Sequence, residues 1–220
     1  MKVTVFDHIQ TTSKNNKLVV KAINSGQKNF LQTVRANIRA LWSGEWDLAD
    51  FINSMRSTIS NGYTRAWIEG ASECGIGLDD LTEEEMFLLR SRILQDQIYA
   101  DNLGLAVETN SKANGGKLYS FYPRADLWAN GYVEIQNTAK LMACEDQKFQ
   151  WIITAKESCP SCIKLAGKVK RASYWKKSDV HPQHRSKLDC MISAGGVPVC
   201  KCYFEKTDAP ITPGQLPRLP

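Results

Sequence analysis

Five of the seven cysteines and two of the three histidines fall between residues 159 and 202. Thiolates and imidazoles are the groups that bind zinc, exchange disulfides, or act as nucleophile and base. Cys159-Pro160-Ser161-Cys162 has the two-residue gap that lets two sulfurs converge on one ion, and Zn2+ takes about four such ligands in a tetrahedron. Cys200-Lys201-Cys202 forms a tighter closing pair, with His181, His184 and Cys190 between the two pairs. A lone C-x-x-C is a weak signal; one followed by three more cysteines and two histidines is considerably stronger. Alternate residues of a strand point to opposite faces, so Cys200 and Cys202 share a metal only where a turn intervenes.

Two other chemistries compete for the same residues. C-P-S-C after an apolar strand looks like the dithiol of thioredoxin-type oxidoreductases, but no βαβ pattern surrounds it. A zinc deaminase needs H-x-E ahead of its C-x-x-C, and a Cys–His nucleophile pair has no local signature here. The three histidines are followed by Ile-Gln, Pro-Gln and Arg-Ser, so the H-x-E motif is absent. The reading is therefore non-enzymatic, with no catalytic or organic-cofactor residues assigned. A set of inert buried cysteines without metal is the plainest alternative.

The net charge of +5 is unevenly placed. Residues 151–206 carry eleven Lys/Arg against four Asp/Glu, whereas residues 1–150 carry sixteen against eighteen. A basic module on a near-neutral body fits an anionic partner, DNA or an acidic protein surface, as well as it fits a solvated Lys-rich face. Tyr174, Trp175, Tyr203 and Phe204 are aromatic residues within that module. No apolar run approaches the ~18 residues that span a bilayer, so no membrane partner is expected. Asp7 and His8 interrupt the apolar start, which is unlike a secretory signal, so a reducing cytoplasm with few persistent disulfides is expected.

The elements that must position these groups divide the chain. Residues 1–23 alternate weakly and read as an extended arm. From the Asn24–Ser25 pair, an N-cap signal, Phe30, Leu31, Val34, Ile38, Leu41 and Trp42 recur at helical spacing until Ser43–Gly44. Leu48, Phe51, Ile52, Met55 and Ile59 make a second stripe, punctuated by Asn61–Gly62, after which Tyr63, Ala66 and Trp67 begin a further helix. Thr82 with Glu85 is a capping box opening a long helix with Phe87, Leu94 and Ile98 on one face. After Pro123, Trp128, Tyr132, Ile135, Ala139 and Met142 mark another helix. At Phe149 the period changes to two, with Phe149, Trp151 and Ile153 alternating with Gln150, Ile152 and Thr154, a strand signal.

The expected fold is α+β. A helical domain over 24–145 is followed by a small, basic, cysteine-rich and zinc-stabilised α+β module over 146–206. A Pro-rich, exposed and extended tail covers 207–220. No internal repeat points to a solenoid.

The layout resembles the head morphogenesis family of tailed bacteriophages, the minor head proteins of the Mu and SPP1 type. The resemblance rests on Trp151, Cys159-Pro160-Ser161-Cys162, Leu165-Ala166-Gly167-Lys168-Val169 and Cys200-Lys201-Cys202, and it covers roughly residues 145–205. Where that family has a histidine before its last cysteine pair, this chain has Val197-Pro198-Val199, and valine cannot bind metal. Cys159, Cys162, Cys200 and either Cys190 or Cys202 are then the expected zinc ligands, with His181 and His184 as alternates. The resemblance implies a low-copy, non-catalytic virion head component, present in the host cytoplasm during assembly. Its partners would be the portal, the major capsid or scaffolding protein, or both, and a basic module fits a protein that sits beside DNA during packaging or ejection. A cytoplasmic zinc-ribbon protein that binds nucleic acid and a C-P-S-C oxidoreductase are the alternatives.

Overall fold

The computed structural model describes residues 16–144, 146–153, 158–182 and 202–219, with side chains described from Ser25 onward. The order is α1 (Asn16–Ser43), α2 (Leu48–Ala71), α3 (Glu83–Thr109), α4 (Tyr122–Ala143), β1 (Lys148–Ile152), α5 (Pro160–Leu165), β2 (Val169–Arg171), α6 (Ala172–Ser178) and β3 (Tyr203–Lys206). The described residues are thus mainly helical with one small sheet, within the expected α+β class.

Helix α1 begins at Asn16, so the Asn24–Ser25 pair lies inside it and does not cap it. N-cap residues are tolerated within a helix at a cost of only a few tenths of a kcal/mol each. The arm expected over 1–23 is therefore helical from Asn16, and residues 1–15 lie outside the described residues. Gly44 takes the left-handed conformation (φ 79°) that ends α1, and Asp47 caps α2 by accepting the Asp50 N–H at 2.8 Å.

Helix α2 also runs unbroken through Asn61–Gly62. Gly62 is there for close approach: a Cβ at this position would meet the buried ring of Phe30 on α1. Gly104 plays the same part on α3, where a Cβ would sit 2.9 Å from atoms of Leu48 and Phe51. Both positions mark helix contacts that a larger residue would push apart.

The helices enclose one core. Val34 and Ile38 of α1, Phe51, Met55, Ile59 and Tyr63 of α2, Leu103 and Val107 of α3, and Tyr132 and Ile135 of α4 are all buried in it. Polar groups tie the same helices together: Arg35 pairs with Asp126 at 2.6 Å, and Tyr132 donates to Glu69 at 2.7 Å. The Tyr63 hydroxyl donates to the buried Asp96 carboxylate, which Arg92 approaches at 3.6 Å while reaching Glu134 at 3.2 Å.

The capping box forms as expected. Glu85 accepts from the Thr82 N–H at 2.9 Å, and its own N–H donates to the Thr82 hydroxyl at 3.3 Å. The face of the helix it opens is not the expected one. Leu89, Ala100, Leu103 and Val107 face the core, whereas Phe87, Leu94 and Ile98 lie on the outer surface. Both faces of α3 are apolar, and the small residues on the inner one admit the closer neighbour.

Helix α4 carries its stripe past the first core into a second. Ile135 and Ala139 belong to the helical core, while Leu141 and Cys144 pack with Phe149, Trp151, Cys162, Trp175 and Phe204. This second core lies on a three-stranded antiparallel sheet of order β2-β1-β3, in register Gln150↔Val169 and Trp151↔Phe204. Strand β1 alternates as expected, with Phe149 and Trp151 fully buried. Trp151, Trp175 and Phe204 form a ring cluster with centroids 5.2–5.7 Å apart, and Trp175 donates its indole N–H to the Phe149 carbonyl at 3.2 Å.

The tail forms neither helix nor strand over 207–219, and it is docked. The Thr212 N–H donates to the Val169 carbonyl at 2.9 Å, and the Val169 N–H donates to the Thr212 hydroxyl at 3.0 Å. Leu216 and Leu219 pack against the second core. The outer edge of β2 would otherwise present unpaired backbone groups, and the tail covers it.

Candidate functional site

The C-P-S-C segment is built by the turn that follows it. Cys159 is the N-cap of α5, and its Sγ accepts the Cys162 N–H at 3.3 Å. Pro160 occupies the first helical position, where its missing N–H costs nothing. Helix α5 ends at Leu165, and Gly167 turns left-handed (φ 73°). The Gly167 N–H then donates to the Trp151 carbonyl at 2.9 Å, and the Trp151 N–H donates to the Lys168 carbonyl at 3.0 Å. Trp151, C-P-S-C and L-A-G-K-V are therefore one hydrogen-bonded unit, and the residue at 167 must tolerate a positive φ.

Cys159 and Cys162 are buried within this unit, and Cys202, which precedes β3, is buried in the same core. His181 is also buried, with its Nδ1 3.2 Å from the Pro182 carbonyl, to which Asn137 of α4 donates at 3.3 Å. His184, Cys190 and Cys200 lie outside the described residues. Among the described residues no three His, Cys, Asp or Glu side chains form a group able to hold a metal ion. A zinc site of about four ligands would therefore draw on residues outside the described ones, where His184, Cys190 and Cys200 lie.

The C-P-S-C pair shares a helix N-terminus with dithiol oxidoreductases, but its sheet is antiparallel, with β1 paired directly to β2. The parallel βαβ setting expected for that chemistry is not what surrounds it. Of the module's aromatic residues, Trp175 and Phe204 are core residues, while Tyr203 is exposed and Tyr174 lies beneath the Lys170 ammonium at 4.7 Å.

Several of the module's cations have internal partners. Lys148 donates to the carbonyls of Asp208 and Ala209 at 2.6 and 2.9 Å, and Lys164 donates to that of Arg218 at 3.3 Å. Lys170, although buried, donates to the carbonyls of Thr212 and Gly214. Arg171 donates to the Asp146 carbonyl at 2.8 Å. Between β2, α6 and the tail an open cleft of about 490 Å3 is lined by Arg171, Tyr174, Lys177, Ile211 and Thr212.

Two linkages between the turn after α2 and the end of α4 carry no sequence signal. Cys74 and Cys144 form a disulfide with Cα atoms 5.5 Å apart, in departure from the expected reduced state. Lys140 on α4 pairs with Glu73 at 2.7 Å and donates to the Phe204 carbonyl of β3 at 3.5 Å. The disulfide residues are 70 positions apart and carry no local motif, so only the packing of α2 against α4 could bring them together. No family model, curated protein or solved structure matches the chain.

Proposed function

We propose that the chain is a minor head protein of a tailed bacteriophage, acting in head morphogenesis at the portal and procapsid interior. The observation that supports this reading is the interlock of Trp151, C-P-S-C and L-A-G-K-V through Gly167. Three of the four segments that carry the family resemblance are thereby parts of one hydrogen-bonded unit. The unit has no catalytic role in this proposal; it is a scaffold presented by the helical body. Immunoblotting of purified virions and procapsids tests the proposal. A low-copy signal in either supports it, and absence from both overturns it.

Zinc stapling of the module is part of the same proposal, through Cys159 and Cys162 with the remaining ligands from Cys190, Cys200, Cys202, His181 or His184. About one zinc per chain is expected in protein purified without chelator, falling in Cys159→Ser, because the metal contributes directly to folding of such small modules. No metal in either sample overturns the staple without touching the head assignment. DNA contact, in this proposal, uses Arg171 and Lys177 at the open cleft. Binding there should weaken steeply with added salt, since phosphate contacts release counterions.

A further inference from the structure

We infer that the outer face of α3 is a self-association surface on which a second copy of the chain docks antiparallel about a twofold axis. Phe87, Leu94, Ile98 and Leu105 are 69%, 62%, 63% and 53% exposed. At about 100° per residue they fall within about 40° of arc on one side of the helix. Leu88 and Tyr99 extend the patch on one flank, at 38% and 52% exposed. With large side chains presenting ~150–250 Å2 each, these fractions leave roughly 600 Å2 uncovered. That is at the top of the ~300–600 Å2 seen for the largest apolar patch of a monomer.

The order of residues along the stripe selects the occupant. Positions 87, 91, 94, 98, 101 and 105 read Phe, Ser, Leu, Ile, Asp, Leu, with spacings symmetrical about residue 96. A reversed copy centred there sets Phe87 on Leu105 of the second copy and Leu94 on Ile98, with Ser91 and Asp101 on opposite flanks of the seam. Apolar meets apolar along its length. A parallel copy would put Arg90 and Asp101 on opposite sides of the seam, and a shift by one heptad would bring Asp101 level with Ile98.

Charge at the edge agrees with the same register. Arg90 lies on the flank that carries Asp101, and reversal brings each Arg90 within one residue of level with Asp101 of the second copy. Asp101 is already oriented by Arg56 at 2.6 Å. At the outer ends Glu83 faces Glu108, an exposed like-charge pair that salt screens. Two such patches bury roughly 1,200 Å2, which reaches the lower bound of ~1,200–2,000 Å2 for specific interfaces.

Sedimentation velocity of the full chain across a concentration series tests the inference. A reversible monomer–dimer equilibrium is expected. Leu94→Glu with Ile98→Glu should weaken it by roughly a hundredfold or more, because four carboxylates would meet in a desolvated contact. Circular dichroism should not change, nor should the melting temperature at concentrations where the wild type is monomeric, since both positions face solvent in the monomer. Phe87→Ser with Leu105→Ser should give the same loss without adding charge. Arg90→Glu should weaken the dimer and Arg90→Lys should retain it. A wild-type chain that stays monomeric throughout overturns the inference, as does a dimer that survives both double substitutions. A face that is covered only when a different protein is added overturns it as well.

Discussion

Replacing Cys74 and Cys144 together by alanine removes the covalent tie between the end of α2 and the end of α4. The tie closes a loop across a sequence separation of 70 residues. In the chain-entropy account, a loop of that length restricts the unfolded chain by about 4 kcal/mol at room temperature. For a protein of this size each kcal/mol shifts the melting temperature by roughly 2–4 °C, so the double variant should melt roughly 10 °C lower under oxidising conditions. Alanine avoids leaving a hydroxyl where Cys144 is 2% exposed, so the loss reports mainly on loop closure. The variant should still fold, because the Lys140–Glu73 ion pair and the packing of Gly70 against Gln136 join the same helices without it. The assay is thermal unfolding with and without reductant: the wild type should fall to the melting point of the variant when reduced, and the variant should respond little. Alkylation of denatured, unreduced wild-type protein should also find at least two fewer thiols than after reduction. Equal melting of wild type and variant under oxidising conditions, or no thiols gained on reduction, would refute the reasoning.

Gly62→Ala drives a methyl into the Phe30 ring, so it should destabilise by about 1 kcal/mol, the overpacking cost of ~1–3 kcal/mol outweighing the helix propensity gained; urea unfolding checks the sign. Lys140→Met leaves Glu73 without its partner at a nearly buried contact and should cost about 3 kcal/mol. Adding Glu73→Gln should recover most of that loss, read as a double-mutant cycle by chemical denaturation. Ending the chain after Thr207 strips the buried Lys170 ammonium of its two carbonyl partners and uncovers the β2 edge. Because hydrogen bonds to a charged group contribute ~1.5–3 kcal/mol, the module should lose about 2 kcal/mol or more, with amide exchange rising first over residues 169–171.

How far the sequence could be read depended on whether a signal was local. Thr82 and Glu85 specify each other within one turn, and the capping box is where it was expected. Phe149 and Trp151 reveal a strand because the period of two requires no knowledge of the partner strand. Asn61–Gly62 misled because a glycine that permits close helix contact looks the same in sequence as one that ends a helix. Phe87, Leu94 and Ile98 misled for a related reason. Their period identifies a helix face correctly, but the small Ala100 and Gly104 on the opposite face admit α2 more closely, and the larger residues are left outside. The partner of an apolar face is a tertiary choice. So is the Cys74–Cys144 bond, whose members share no motif.

The basic charge of the module shows the same limit in electrostatic form. A charge count sums residues without saying what their ammonium groups touch. Pro210, Pro213 and Pro217 have no N–H to donate, so the tail cannot close a regular ladder against β2. Its carbonyls at 208, 209, 212, 214 and 218 nevertheless need donors. Lys148, Lys164 and Lys170 supply them, reaching from the sheet and from α5. The prolines and the lysines are therefore one device, in which the donors missing from the tail backbone are restored by side chains of the module it covers. Each lysine bonded to the tail would have to release a carbonyl before it could contact a phosphate, so the charge count overstates what these three side chains offer an anionic partner.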